Sequence, residues 1–498
     1  MEMRIENEIK LRVPANFDIS RAIAHAGPFT AMPLEKRTLQ TVYYDTADLR
    51  LTRWGSGLRY RAGDGWMLKL GLPKGDAGLR RLEVTAAAGS SGAPPAELLE
   101  VATAFLRGEA VRPVSRLRTL RKSMRLCDKD GRDVAEVVDD NVRATSDDRP
   151  AIRWREIEIE LCEGAAASRL RELQVAFEYL GGDATDQTPK HVRALGLRTP
   201  LRCELDAPSV GRSSSCADVI RAALTSSVER LLRQDAFLRL DMDADAVHAA
   251  RVATRRLRSD LRTFLPLLER SFACDLRDQL KWLASELGAV RDADVLVQRL
   301  RAGEPSLPAS YRPSVRRTVS RFVAECAAAR ERLREVLKDQ RYCDLLARLI
   351  TAASEPRLAA AAHSPASDVL PTLMRDPWGK LCEAVQAVDD GDHSAARLHQ
   401  VRIRAKRCRY AAEAAVPVVG KAARRFAKRV ERLQRVLGEF HDANVAEQRL
   451  RKLSGDGDTM FAAGLLAALQ ALDAAAAREA WRKAWRKADK KRLRTWIL

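Results

Sequence analysis

The chain has 498 residues, too many for one compact core, so two or three domains are expected. Its 46% hydrophobic content argues against wholesale disorder, and its nine cysteines, scattered singly without a Cys-x-x-Cys pair, argue against a disulfide framework or a thiolate zinc site. The formal charge of +20 is uneven: residues 1–200 carry net +3 and residues 201–498 net +17, which directs an acidic partner to the second part.

The opening MEMRIENEIKLRV lacks the apolar run of a signal peptide, and no stretch of about 18 apolar residues is evident, so a soluble cytoplasmic protein without a membrane partner is expected. Residues 1 to about 197 alternate in short strand-like segments, interrupted by helical stretches near 96–107 and 166–180. In the first segment Glu6, Glu8 and Lys10 share one face, with Ile5, Ile9 and Leu11 on the other. Glu156, Glu158 and Glu160 repeat the pattern late in the domain. Between them lie Arg59 with Arg61, Lys69, Arg81 beside Glu83, then Arg118 and Arg121. One such strand alone reads as a half-exposed strand with a solvated face. Acidic strands at both ends with basic strands between predict a closed sheet with a charged lumen, where carboxylates suit a hard cation and Arg and Lys suit phosphate oxygens.

A Pro, Gly and Ser cluster from about 198 to 215 reads as a linker, giving domains 1–200 and 216–498 around a linker at 201–215. Beyond it strand signals vanish, and helical periodicity continues to the end with breaks near 302–313 and 352–371. The final WRKAWRKADKKRLR reads as an exposed basic helix face. This half repeats itself. VHAARVATRRLRSDL (247–261) matches LHQVRIRAKRCRYAA (398–412), and ELGAVRDADVL (286–296) matches VLGEFHDANVA (436–446), at offsets of 151 and 150. Two motifs in one order at nearly one offset predict two similar helical bundles, about 216–350 and 366–498, about a pseudo-twofold.

His248, Arg251, Arg255 and Arg258 fall within roughly an 80° arc of one helix, and His399, Arg402, Lys406 and Arg409 repeat the spacing. Leu257, Leu261 and Phe264 lie opposite, as anchors in the bundle. A single row of this kind is usually a solvated face. Its recurrence, and the lack of a balancing carboxylate on the arc before Glu413, point instead to a polyanion that relieves like-charge crowding. The row, about 15 Å long, matches an extended phosphate chain. Asp292 and Asp442 are expected to pair with and orient the arginines, and His441 stands where the first copy has Arg291. Aromatic residues at 5% leave few platforms for stacking bases, so nucleic acid is not the expected partner.

The twice-occurring H-x-x-R-[VI]-x-x-[RK]-R-x-R pattern resembles the CHAD family over about 215–498. That resemblance implies two pseudo-symmetric helical bundles that bind inorganic polyphosphate in association with polyphosphate granules, through the eight His, Arg and Lys residues just named. The N-terminal Glu6-x-Glu8-x-Lys10, YYDTADLRLTRWGSGLRYR (43–61), EIEL (158–161) and PKHVRAL (189–195) together resemble the CYTH family of triphosphate tunnel metalloenzymes over about 1–200. The implied fold is an antiparallel β-barrel tunnel with helices, so the chain as a whole is expected to be α+β and multidomain, with an all-α C-terminal part. By position Glu6, Glu8, Glu158 and Glu160 would hold Mg²⁺ or Mn²⁺, with Asp140 a helper. Lys10, Arg59, Arg61, Lys69, Arg81, Arg118 and Lys190 would bind the phosphate chain. One departure is Thr85, where the family often has a second in-facing acid after Glu83.

The expected activity is metal-dependent hydrolysis of inorganic triphosphate. No Gly-rich phosphate loop or Ser/Cys nucleophile motif is seen, which favours direct attack by water over a covalent intermediate. The alternative is a polyphosphate-binding, granule-associated protein with a weak or inactive tunnel. Adenylate cyclisation ranks third, for want of an evident adenine pocket.

Overall fold

Eight antiparallel strands close into a barrel in the order β1-β5-β4-β3-β2-β6-β7-β8. They are β1 (Glu2–Arg12), β2 (Thr30–Asp45), β3 (Gly57–Arg61), β4 (Gly65–Gly71), β5 (Leu79–Ala86), β6 (Arg112–Cys127), β7 (Asp133–Ser146) and β8 (Arg149–Leu161). The computed structural model describes all residues except 73–78, 87–91, 147–148, 197–200, 242–243, 391–393 and 498. Its two compact units are Met1–Glu204 and Leu205–Leu498. Of the expected linker, residues 198–200 lie outside the described residues. Glu204 is held in the first unit by Arg107 at 2.5 Å and Trp54 at 2.6 Å.

The helices of the first unit are α1 (Ile19–Ala26), α2 (Arg50–Arg53), α3 (Ala96–Val101), α4 (Thr103–Leu106), α5 (Ala167–Tyr179) and α6 (Lys190–Ala194). Much of the barrel's apolar surface faces outward, while Tyr43, Leu117, Val142 and Ala144 cluster on the inner face with Ala194 of α6. Ile9, Leu11, Val137, Ile157 and Ile159 form one core with Phe17 of the turn before α1 and Leu173 and Phe177 of α5. On the far side, α2 and α3 pack on β2, β3 and β5, where Leu58, Trp66, Leu68 and Leu82 are fully buried. Each such side chain contributes about 1.5–3 kcal/mol on burial, so this outer shell holds the barrel closed around a lumen whose ions are costly to bury. Asp45 explains much of the YYDTADLR segment. Its carboxylate accepts from the backbone N–H groups of Thr46, Leu51 and Thr52 and from the Thr52 hydroxyl at 2.7–2.9 Å, tying β2 to α2.

The second unit contains α7 (Cys216–Leu240), α8 (Ala244–Thr263), α9 (Arg270–Gly303), α10 (Arg312–Lys338), α11 (Gln340–Ser354), α12 (Ala366–Leu373), α13 (Arg375–Asp389), α14 (Ala395–Val419), α15 (Lys421–Arg451) and α16 (Gly457–Ala488). The repeated motifs fall on α8 and α14, then on α9 and α15. Each of these helices touches its own counterpart, α8 on α14, α9 on α15 and α10 on α16, which requires them to meet at a pseudo-twofold axis. The starts of the halves meet as well. Cys216 N–H donates to the Ser364 carbonyl and Ala366 N–H to the Ser214 carbonyl, both at 3.0 Å, a reciprocal bridge between positions 150 apart.

One helix departs from the expected lack of a membrane-length apolar stretch: α16 is long and apolar enough by length and composition. Its Ala462, Ala463, Leu466 and Ala467 pack in the bundle core with Leu450 and Phe322.

Candidate functional site

The strand period of two sends alternate residues of every strand into the lumen. Pairing sets Glu6 opposite Arg81, Lys10 opposite Glu158 and Glu8 opposite Glu160. Lys69 donates to Glu6 at 2.9 Å and lies 2.5 Å from Glu83. Arg81 donates to Glu8 at 2.6 Å. Lys10 lies 2.5 Å from Glu158 and 3.6 Å from Glu8. From α6, Lys190 reaches Asp140 and Glu158 at 2.8 Å and Glu156 at 3.1 Å. Arg61 pairs with Asp64 at 3.1 Å, and among the described residues Arg59 forms no ion pair, its guanidinium lying 3.1 Å from the Met67 sulfur.

Ligand oxygens of Glu6, Glu8 and Glu160 all lie within 4.8 Å of one another. Glu8 is fully buried and its Oε2 has no hydrogen-bond partner. Burial, and then the Glu6 carboxylate beside it, push Glu160 up to about 9, which favours its neutral form. Glu158 behaves oppositely. Burial works against its charge, but Lys10, Lys190 and Arg121 hold it well below the usual carboxylate range. Asp140 is likewise kept low, against its burial, by Lys190 and Arg121.

Two expectations are corrected here. Asp140 and Glu158 do not join the three-carboxylate cluster; they belong to the adjoining ionic network of Lys190 and Arg121. Arg118 does not enter the lumen, because Ser115, Leu117, Thr119 and Arg121 take the inward parity of β6 and leave Arg118 exposed. Arg121 occupies the inward place, with a bidentate contact to Asp140 at 2.6 and 2.9 Å. Thr85 keeps the inward parity of Glu83 and Arg81 and lies opposite Glu2 at the start of β1, away from the cluster.

Sequence reasoning did not single out His191 or Tyr43. Their rings stack at 5.0 Å, and burial followed by Arg81 and Lys10 pushes His191 down to about 3. A Cβ on Gly57 would lie 3.2 Å from the His191 ring, so the glycine makes room for it. Burial opposes ionisation of Tyr43, yet Arg59, Lys190, Arg61 and Lys10 hold its hydroxyl below the ordinary value. The signal available was the alternation itself, since Tyr43 shares its strand face with Thr41.

In the second unit the two His-Arg rows converge at the axis. Burial is the largest influence on Lys406, followed by Arg402, Arg255 and Arg251, and together they push it down to about 7. Arg251 donates to Asp292 at 3.1 Å, and Arg402 lies 4.0 Å from Asp442. Nε of Arg255 and Nε of Arg402 are buried donors without a partner. His399 and His441 face one another through Nδ1 atoms 3.2 Å apart, and burial followed by Arg402 pushes His441 down to about 4. His248 is held below its ordinary value by burial and then by Arg291, Arg255 and Arg251. Six of the eight predicted residues therefore share one cluster: His248, Arg251, Arg255, His399, Arg402 and Lys406.

Two do not share it. Arg409 is neutralised by Glu413 at 2.6 Å and Glu431 at 3.4 Å, while Arg258 lies one turn further along and is influenced by Arg277 and Asp278. Helical spacing put them on the right face but could not show where α8 and α14 cross. Gly288 and Gly438 were also missed as site residues, although both stand third in the second repeated motif. Arg251 and Arg402 pass over them, their Nε atoms 3.8 and 3.7 Å from where a Cβ would be.

Residues 4–190 match the CYTH domain and residues 222–451 the CHAD domain. Two proteins of Mycobacterium tuberculosis described as uncharacterized, one from strain CDC 1551 and one from strain H37Rv, are each 33% identical over 459 residues, covering 86% of this chain and 85% of theirs. Among solved structures, PptA from Streptomyces chartreusis aligns over 55% of this chain and 100% of its own, at 24% identity and a TM-score of 0.46. The CHAD domain from the plant Ricinus communis aligns over 58% and 97%, at 26% identity and 0.45. The chain belongs to the family that joins a CYTH domain to a CHAD domain.

Proposed function

We propose that this CYTH–CHAD chain hydrolyses inorganic triphosphate in its tunnel and holds inorganic polyphosphate on the basic cluster of its helical unit. The carrying observation is the juxtaposition, in one lumen, of three clustered carboxylates and a ring of cations, most of them paired with carboxylates. Glu6, Glu8 and Glu160 suit a hard divalent cation: all are oxygen donors, one buried oxygen lacks a partner, and burial with mutual repulsion raises the pKa of Glu160. Held there by Glu6, Glu8 and Glu160, Mg²⁺ or Mn²⁺ would supply neutralisation of phosphate charge and activation of water.

The chain's own residues do the rest. Arg59, which forms no ion pair among the described residues, receives a phosphate, and Lys10, Lys69, Arg81, Arg121 and Lys190 exchange carboxylate partners for phosphate oxygens. Arg59 and Arg61 offset charge developing on the leaving diphosphate. Water attacks the terminal phosphorus, the bridging P–O bond breaks toward diphosphate, and a lumen carboxylate takes the water's proton. In the helical unit, the unpartnered Nε donors of Arg255 and Arg402 support a bound anion. The protein is taken to be cytoplasmic and to associate with polyphosphate granules.

The test is phosphate release from triphosphate, longer chains, ATP and thiamine triphosphate, each with Mg²⁺ or Mn²⁺. Release fastest from triphosphate supports the proposal. No release from any substrate by folded, metal-loaded protein overturns the hydrolase reading and leaves a polyphosphate-binding protein.

A further inference from the structure

Ser259 and Tyr410 occupy equivalent places in the two halves, 151 residues apart, and their surroundings differ in sign. Beside Tyr410, Arg256 pairs with Asp260 at 3.1 Å and with Glu413, while Arg409 pairs with Glu413 and Glu431. The Tyr410 ring fills the centre, with the guanidinium carbons of Arg255, Arg256 and Arg409 each 5.5 Å from its centroid. In the other half the arginines persist as Arg407 and Arg258, but their carboxylates do not. The repeat puts Ala411 in place of Asp260, Arg262 in place of Glu413 and Lys281 in place of Glu431.

Ser259 in place of tyrosine leaves a cavity of about 450 Å³. Arg262, Arg404 and Arg407 line it together with Leu265, Pro266, Leu373 and Pro377. Among the described residues none of those three arginines forms an ion pair. Asp376, also at the cavity, is engaged by Lys380 at 2.6 Å. Burial first, then Arg407, Arg277, Arg258 and Arg404, push Arg262 down to about 10. Arg404 and Arg407 leave α14 on the side away from Arg402 and Lys406, so this cavity is separate from the central cluster.

We propose that the cavity is a binding site for a small organic phosphate of the nucleotide class. The phosphate groups lie on Arg262, Arg404 and Arg407, and the planar or apolar remainder lies on the leucine and proline wall. Convergent unpaired guanidinium groups call for an anion, and the cavity has the size and mixed lining of small-molecule sites. An inorganic chain would leave the apolar wall unused.

Calorimetric titration of the full chain with ADP, in chelator to silence the tunnel, tests this, with inorganic diphosphate as comparison. The informative variant is Ser259→Tyr with Arg262→Glu, which installs the residues the other half already carries in the same packing. ADP binding tighter than diphosphate, weakened at least about tenfold in the double variant and in Arg407→Ala, supports the site. Absence of ADP binding to wild type, equal affinity for diphosphate, or unchanged ADP binding in a double variant with a cooperative wild-type-like melt overturns it.

Discussion

Arg402 crosses Gly438 so closely that a Cβ on the glycine would lie 3.7 Å from its Nε, and Arg251 crosses Gly288 in the same way. That distance is ordinary contact, so Gly438→Ala should keep Arg402 in place. It should also stabilise the helix interior by about 0.5–1 kcal/mol through lower backbone entropy when unfolded. Gly438→Leu, in contrast, should displace the guanidinium and weaken polyphosphate binding at least about tenfold. Thermal melts and a polyphosphate titration on the two variants separate these effects. Equal binding by both would show that Arg402 does not need its present path.

Lys406 gives the helical unit a pH signature. Its folded pKa is depressed from the ordinary 10.5 to about 7, so neutral protein holds it only partly charged. A bound polyanion neutralises Arg402, Arg255 and Arg251 and restores the ammonium, so binding takes up a proton. Affinity should therefore rise as pH falls from 8 to 6, and calorimetry in buffers of different ionisation enthalpy should register the uptake. His248, His399 and His441, also depressed, extend the rise to lower pH.

The same depression costs stability. A lysine whose folded pKa lies below its unfolded value destabilises the fold progressively as pH falls from about 10.5 toward about 7. Lys406→Met should thus raise the neutral-pH melting temperature of ligand-free protein by a few degrees, about 2–4 °C per kcal/mol, while weakening polyphosphate binding. A variant that loses both stability and binding would show that Lys406 is a packing residue instead.

Glu160 carries the opposite sign. Its folded pKa, about 9, exceeds the ordinary 4.5, so its contribution to stability is lost as pH rises from about 4.5 toward 9. Mg²⁺ or Mn²⁺ should displace the proton and recover stability, most strongly at pH 8–9. Glu160→Gln should flatten the pH dependence without metal and reduce the metal-induced gain. Wild-type melting curves indifferent to both cations between pH 6 and 9 would remove the metal assignment.

Arg59 and Arg118 divide cleanly. Arg59→Ala should cost hydrolysis about 10²-fold or more, since it removes a lumen cation that forms no ion pair among the described residues. Arg118→Ala, on the outer surface, should leave the rate within about twofold, surface changes being small. Comparable losses in both would return Arg118 to the site.

The alternation of strand residues and the 3.6-residue helical period determined, without coordinates, which side chains share a face. From them came the charged barrel and the basic helix faces, while the repeated motifs gave the duplicated helical half and the resemblance gave the roles of the tunnel residues. Those periodicities are local, and each is written in a few consecutive turns or rungs. Position along a shared face is not local. Which turn of α8 meets α14 separates Arg255 from Arg258, and the parity of β6 through Thr119 separates Arg118 from Arg121. Whether a carboxylate meets a cation or another carboxylate depends on strand register, which places Glu160 beside Glu6 and Glu158 beside Lys10. Only the tertiary structure decided these, because charge pairing depends on distances of a few ångströms between residues over a hundred positions apart.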